Sequence, residues 1–258
     1  MRIALALLVL LGSLSVSASE LGSLSVSASE VDDLRARAGK GDAEAQLGLG
    51  LMYDAGIGTP PDAKEAMRWY LAAAEQGNAI AQQSLASMHY RGKGIPQDYK
   101  EALKWYRASA EQDDVLAQFN LGQSYSFGKG TPQDYKEALK WYRASAEQGY
   151  AAAQFSLGLM YATGRGTTQD YKEAFRWFRA SAEQGFAMAQ FSLGIMYYNG
   201  EGTPQAYKEA HMWFNLAAAN GNEEAKSNRD KVAVMMTPAD ISEAQQMASD
   251  WMKVHPAQ

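Results

Sequence analysis

A tryptophan recurs at a fixed interval along this chain: Trp69, Trp105, Trp141, Trp177 and Trp213 stand 36 residues apart. Around each lies a variant of one text, seen most fully as DYKEALKWYRASAEQG at 134–149. Self-similarity at a period of ~20–50 residues constrains a fold more tightly than composition does. Each copy must be one supersecondary unit that buries its apolar side only against the next copy. The full copies run 42–77, 78–113, 114–149, 150–185 and 186–221.

Each copy decodes into two helices. The first, as in AAAQFSLGLMYATG at 151–164, has Ala, Leu, Met and Tyr at helical spacing and ends on a Gly-x-Gly found at the same place in every copy. A Pro follows in all copies but the fourth. Asp98, with Glu101 three residues on, then reads as a capping box opening the second helix, and Asp62, Asp134 and Asp170 repeat it. That helix carries Ala102, Trp105, Tyr106, Ser109 and Ala110 on one stripe. It usually closes on Gln-Gly; Asp113 replaces glycine in the second copy and must take the left-handed conformation there.

Both ends of the array depart from the pattern, as terminal units must if they shield an open apolar face. Residues 31–41 read as a degenerate second helix capping the first copy. Beyond Gly221, residues 222–258 hold a further first-helix-like segment, a last amphipathic helix opened by Thr237-Pro238-Ala239-Asp240 and running to about Met252, and a tail. Ile241, Ala244, Met247, Ala248 and Trp251 form that helix's expected inner side.

With LGLMYATGRGTTQDYKEAFRWFRASAEQG at 157–185 in view, the chain resembles the Sel1-like repeat, a relative of the tetratricopeptide repeat with a longer turn. The resemblance implies an all-α fold: an α-solenoid, coiled as a right-handed superhelix, of five 36-residue helix-turn-helix repeats between terminal capping helices. It also implies an adaptor or scaffold for other proteins. A cysteine-rich branch of the family is associated with β-lactam binding or hydrolysis. This chain has no cysteine, so that association is not carried over.

The same absence excludes disulfides, Cys-based zinc sites, Cys nucleophiles and iron–sulfur clusters. A net charge of −5 speaks against a nucleic-acid binder, which needs a basic stripe to displace counterions from phosphate. At the N-terminus, Arg2, the apolar run Ile3 to Leu11 and the small residues Val16-Ser17-Ala18 read as a signal peptide. The run is about half the ~20 residues that cross a bilayer, so no stable membrane span is expected. LGSLSVSASE occurs at 11–20 and again at 21–30, which offers cleavage after Ala18 or after Ala28 within a leader spanning 1–30. The expected location is a bacterial periplasm or the exterior; a cytosolic regulator with an uncleaved N-terminus is the alternative.

Identity among the copies reports architecture. The five tryptophans, the Tyr or Phe after each, and the second-helix alanines are therefore assigned to the repeat core. Gln46, Gln82, Gln118, Gln154 and Gln190 recur at one first-helix position and are expected to bond to backbone between repeats. Partner recognition is sought where the copies differ. On the first helices these positions share a second face, and the candidate partner-binding residues are Tyr90, Phe119, Gln123, Phe155, Leu159, Phe191, Ile195 and Tyr198. Aromatic anchors among polar neighbours suit a peptide or a partner helix. The competing reading packs Phe119, Phe155 and Phe191 against the adjacent second helix as core. Turn cations Lys93, Lys129 and Arg165 align across three copies, as a ridge for an acidic partner or as solvated turn residues.

Catalysis finds no machinery in the sequence. His89, His211 and His255 have no second ligand at metal spacing, and HExxH, GxSxG and P-loop patterns are missing. No catalytic residue, metal or cofactor is assigned, and the expected function is an exported, non-enzymatic scaffold for another protein. The alternative is a cell-envelope enzyme or ligand-binder acting on β-lactams or peptidoglycan fragments.

Overall fold

The structure, a computed structural model, describes residues 28–255. The proposed leader, apart from its last few residues, and the final three residues lie outside this range. Every regular element in it is a helix, and the chain divides into two compact units, one ending at Gln133 and the other beginning at Asp134. The division falls inside the third sequence copy, between its two helices.

In the first unit, α1 (Ala28–Gly39) precedes two helix pairs, α2 (Ala43–Ala55) with α3 (Ala63–Glu75) and α4 (Ala79–Arg91) with α5 (Tyr99–Ala110), and then α6 (Val115–Phe127). The second unit begins with α7 (Tyr135–Glu147). The pairs α8 (Ala151–Thr163) with α9 (Tyr171–Glu183) and α10 (Ala187–Asn199) with α11 (Tyr207–Ala219) follow. The closing helices are α12 (Glu223–Ala233) and α13 (Pro238–Val254). An all-α repeat array of helix pairs is thus the architecture.

Helix starts follow the sequence signals, with one correction. Asp98 Oδ1 accepts from the backbone N–H of Lys100 at 2.9 Å and of Glu101 at 3.1 Å, as an N-cap does. These bonds hold its carboxyl below the usual carboxylate range. The second half of a capping box is not made, because the Asp98 N–H already donates to the His89 carbonyl at 2.9 Å. Glu101 turns to Lys104 instead. Asp62 and Asp170 donate likewise to Tyr53 and Tyr161, so this residue ties the second helix to the end of the first. Asp113 takes φ 64°, the one non-glycine with positive φ among the described residues.

The helices of a pair meet through a glycine. A Cβ on Gly50 would lie 2.4 Å from the Tyr70 ring, one on Gly158 2.6 Å from Phe178, and one on Gly194 2.7 Å from Phe214. In these three pairs the aromatic following the tryptophan therefore lies against bare first-helix backbone, whereas in the second copy Ala86 takes the glycine's place. Tyr70, Tyr106, Phe178 and Phe214 are all buried, and burial raises the Tyr70 phenol and pushes that of Tyr106 up to about 12.

The tryptophans themselves depart from the expectation. Trp69, Trp105, Trp141 and Trp177 are only half-buried. Each supports a cation from the preceding residue: Arg68, Lys104, Lys140 and Arg176 lie 5.1, 4.9, 4.8 and 4.7 Å from the ring centroids. Trp213 alone is buried, where Met212 replaces the cation and the Trp251 ring meets it edge-on at 6.0 Å. The inner aromatic is one residue further on, because adjacent residues on a helix point about 100° apart.

Candidate functional site

The recurrent glutamine is wholly absorbed by packing. Gln82 Nε2 donates to the Ala74 carbonyl at 3.0 Å, and its Oε1 accepts from Gln112 Nε2 at 2.8 Å. Gln154 repeats this with Ala146 and Gln184, and Gln190 with Ala182 and Asn220. Each amide thus satisfies an orphan carbonyl at the end of one second helix and links it to the next. Gln46 bonds to Ala38 on α1 in the same way, so α1 stands where a second helix of a preceding copy would be.

The Gly-x-Gly turns are equally structural. Gly164 ends α8 at φ 67°, and a Cβ on Gly166 would sit 2.2 Å from the Tyr135 carbonyl oxygen, at the start of α7. Only glycine permits that approach. The turn cations engage the copy before them: Lys93 bonds Asp54 at 2.7 Å, Lys129 lies over Tyr99 at 4.8 Å, and Arg165 over Tyr135 at 5.5 Å. Tyr125 and Tyr161 bond through their hydroxyls to Arg107 and Arg143 of the preceding second helix.

The eight candidate partner-binding residues separate into classes. Phe155 is buried, with its ring 5.6 Å from Phe178 and 5.4 Å from Phe186. It belongs to the core and is withdrawn from the binding face; an aromatic over the Gly158 seat closes the helix pair. Phe191 is half-buried against Phe214 at 5.7 Å, and with Ile195 and Tyr198 it packs around Phe214 and Val232. Tyr90 rests edge-on against Tyr99 at 5.1 Å and Tyr198 is tilted against Tyr207 at 5.9 Å, each half-buried and touching the residue that opens its own second helix. Phe119 and Gln123 are half-buried on α6. Leu159 is 41% exposed.

Two further exposed apolar residues lie on first helices, one in each unit. Leu116 at 44% and Met188 at 54% occupy the second position of α6 and α10, equivalent to Ala152 on α8. Leu116 and Gln123 fall seven residues apart on one side of α6. The signal was present in the sequence as the variation Glu44, Ile80, Leu116, Ala152 and Met188 at one repeat position.

Of the histidines, His211 is buried on α11 with Nδ1 unpartnered, and burial, followed by the nearby Arg229 guanidinium, holds its pKa below the ordinary value. His89 Nδ1 is also unpartnered, and His255 stacks on Trp251 with ring centroids 4.2 Å apart. No group of three His, Cys, Asp or Glu is arranged to hold a metal among the described residues. No described helix is long and apolar enough to cross a membrane.

A family model, the Sel1 repeat, matches residues 43–78, 79–114, 115–150, 151–186 and 187–222, more than half of the chain. The chain belongs to the Sel1 repeat family. The fold is similar to that of c5321 from uropathogenic Escherichia coli, described as a protective antigen displaying an SLR fold. That likeness has a TM-score of 0.81 and 32% identity over 98% of this chain. This chain spans 52% of the length of that protein. A Sel1 repeat protein from Oxalobacter formigenes superimposes with a TM-score of 0.77 and 34% identity, over 90% of this chain and 97% of its own. No curated protein matches. The Sel1 motif is now physically legible: its LG glycine seats the second-helix aromatic, its Tyr reaches the preceding Arg, and its Gln bridges second helices.

Proposed function

We propose that this Sel1 repeat protein is an exported, non-catalytic scaffold of five 36-residue repeats in a right-handed superhelix, holding a partner protein on its first-helix face. One observation carries the reading. The repeated Gln and Tyr side chains are committed within the array and the repeated Trp, other than Trp213, to a neighbouring cation, whereas Leu116, Leu159 and Met188 are exposed on first helices, at positions where the copies differ. Exposed apolar side chains among polar neighbours such as Gln123 are what an interface core requires. Export is supported by the N-terminal sequence alone, with its apolar run and the small residues at Ala18 and Ala28.

The test is affinity capture from a native bacterial envelope with the wild-type chain and a Leu116→Glu, Leu159→Glu, Met188→Glu variant. Partners lost by the folded variant support the face; an unchanged set of partners refutes it. N-terminal sequencing checks export, which predicts a start at Ser19 or Ser29, whereas an intact Met1 in the cytosolic fraction overturns it. Turnover of β-lactams or peptidoglycan fragments by the purified protein would overturn the non-catalytic reading.

A further inference from the structure

A cavity of about 700 Å³ lies in the second unit, where the carboxyl ends of α9 and α11 meet the last turn of α13. Its wall includes Glu183, Gln184, Leu216, Asn220, Trp251 and His255. The fifth copy differs from the others here. Second helices elsewhere close on Glu-Gln, at 75–76, 111–112, 147–148 and 183–184, but the last closes on Ala219-Asn220. Two shorter side chains at these positions leave open the space that Glu and Gln would enter.

The amide and carboxylate groups of the wall present acceptors, beside the Trp251 indole and the His255 imidazole. Gln184 Nε2 donates to the Gly149 carbonyl at 2.9 Å and to Gln154 Oε1 at 2.8 Å, and Asn220 Nδ2 to the Gly185 carbonyl at 3.3 Å and Gln190 Oε1 at 2.9 Å. Bonds to backbone carbonyls establish which amide atom is nitrogen. The inter-repeat ladder thus occupies both NH2 groups and leaves Gln184 Oε1 and Asn220 Oδ1 uncommitted. Glu183 Oε1 accepts from Arg179 Nε at 2.8 Å, and Oε2 has no partner among the described residues. Two helix carboxyl termini add partial negative charge. Leu216, Ala219, Met252 and Val254 supply an apolar wall beside this set.

We propose that this cavity binds an alkylammonium group, a cationic head offering only donors on a short apolar stem, from a free polyamine or from a lysine side chain. The full chain is titrated with n-butylammonium while the indole N–H resonance of Trp251 is followed, assigned through Trp251→Phe. Saturable shifts are expected, with none from the neutral 1-pentanol. Equal shifts from 1-pentanol, or no saturable shift from n-butylammonium, overturn the proposal. Glu183→Gln should weaken binding by up to about fivefold, the scale of one partly exposed ion pair. Arg179→Gln, which frees the carboxylate, should tighten it. Ala219→Leu fills the space and should abolish binding without lowering the melting temperature; unchanged binding in a folded Ala219→Leu chain places the site elsewhere and refutes the inference. Spermidine and N-acetyl-lysine amide then separate the two sources: the tighter ligand identifies which one the site suits.

Discussion

Replacing Gly158 by Ala tests the packing that defines each helix pair. In an open helix interior the change stabilises, since Ala is favoured over Gly by ~0.8–1.0 kcal/mol. Here the added methyl would lie 2.6 Å from Cδ1, 2.7 Å from Cε1 and 3.2 Å from Cγ of Phe178. Carbon atoms pack best at ~3.5–4.0 Å, so the ring must retreat by ~1 Å. It has little room, being 3% exposed with Phe155 5.6 Å away. Overpacking of this kind costs ~1–3 kcal/mol. The opposing propensity gain leaves a net destabilisation of about 1 kcal/mol. Ala86 occupies the same position beside Tyr106 in the second copy, both buried, so a methyl is tolerable where the surroundings are built for it, and this bounds the cost. The assay is urea unfolding followed by circular dichroism, with hydrogen exchange locating the loss to α8 and α9. Phe178→Ala alone should cost ~3–5 kcal/mol. Combined with Gly158→Ala it should cost less than the sum, because the methyl enters the vacated space. A Gly158→Ala chain stabilised by the full helix-propensity amount would refute the seating of the ring on the glycine.

Further predictions concern the repeat boundaries and the C-terminal end. Gln154→Leu strands the Ala146 carbonyl and removes the acceptor of Gln184, and should cost ~1–3 kcal/mol in the same unfolding assay. Gly166→Ala should destabilise more than Gly185→Ala, although both have positive φ, because a Cβ at 166 meets the Tyr135 carbonyl oxygen whereas one at 185 meets open space. His211 is buried with its folded-state pKa lowered, so the unfolded chain binds more protons below the unfolded value of ~6.5 and stability falls as pH drops through that region. The groups facing it are Arg229 and Asp230 on α12. His211→Leu, the residue at this position in the second and third copies, should flatten the midpoint between pH 7 and 5 relative to wild type; an unchanged slope would show that other groups carry it.

Legible in the sequence were the helix pairs, their aspartate N-caps and the glutamine's bond to backbone between repeats. A period imposes the same local environment on every copy, and capping, turn and backbone-satisfaction rules act within a few residues. Tertiary structure alone decided which of two adjacent aromatics is the core residue. Trp and its neighbour both sit on the second helix's apolar edge, and only the docking of the first helix, with its glycine as the seat, directs Tyr70 or Phe178 inward and leaves Trp69 or Trp177 half-exposed under a cation. Docking also moved Phe155 from the variable face into the core, since a shared helical face does not reveal how deeply the neighbouring copy covers it. The C-terminal cavity depended most on tertiary structure. Ala219 and Asn220 are legible in the sequence as departures from Glu-Gln, but that they open onto Trp251 and His255 depends on how α13 folds back across the residues between 220 and 251.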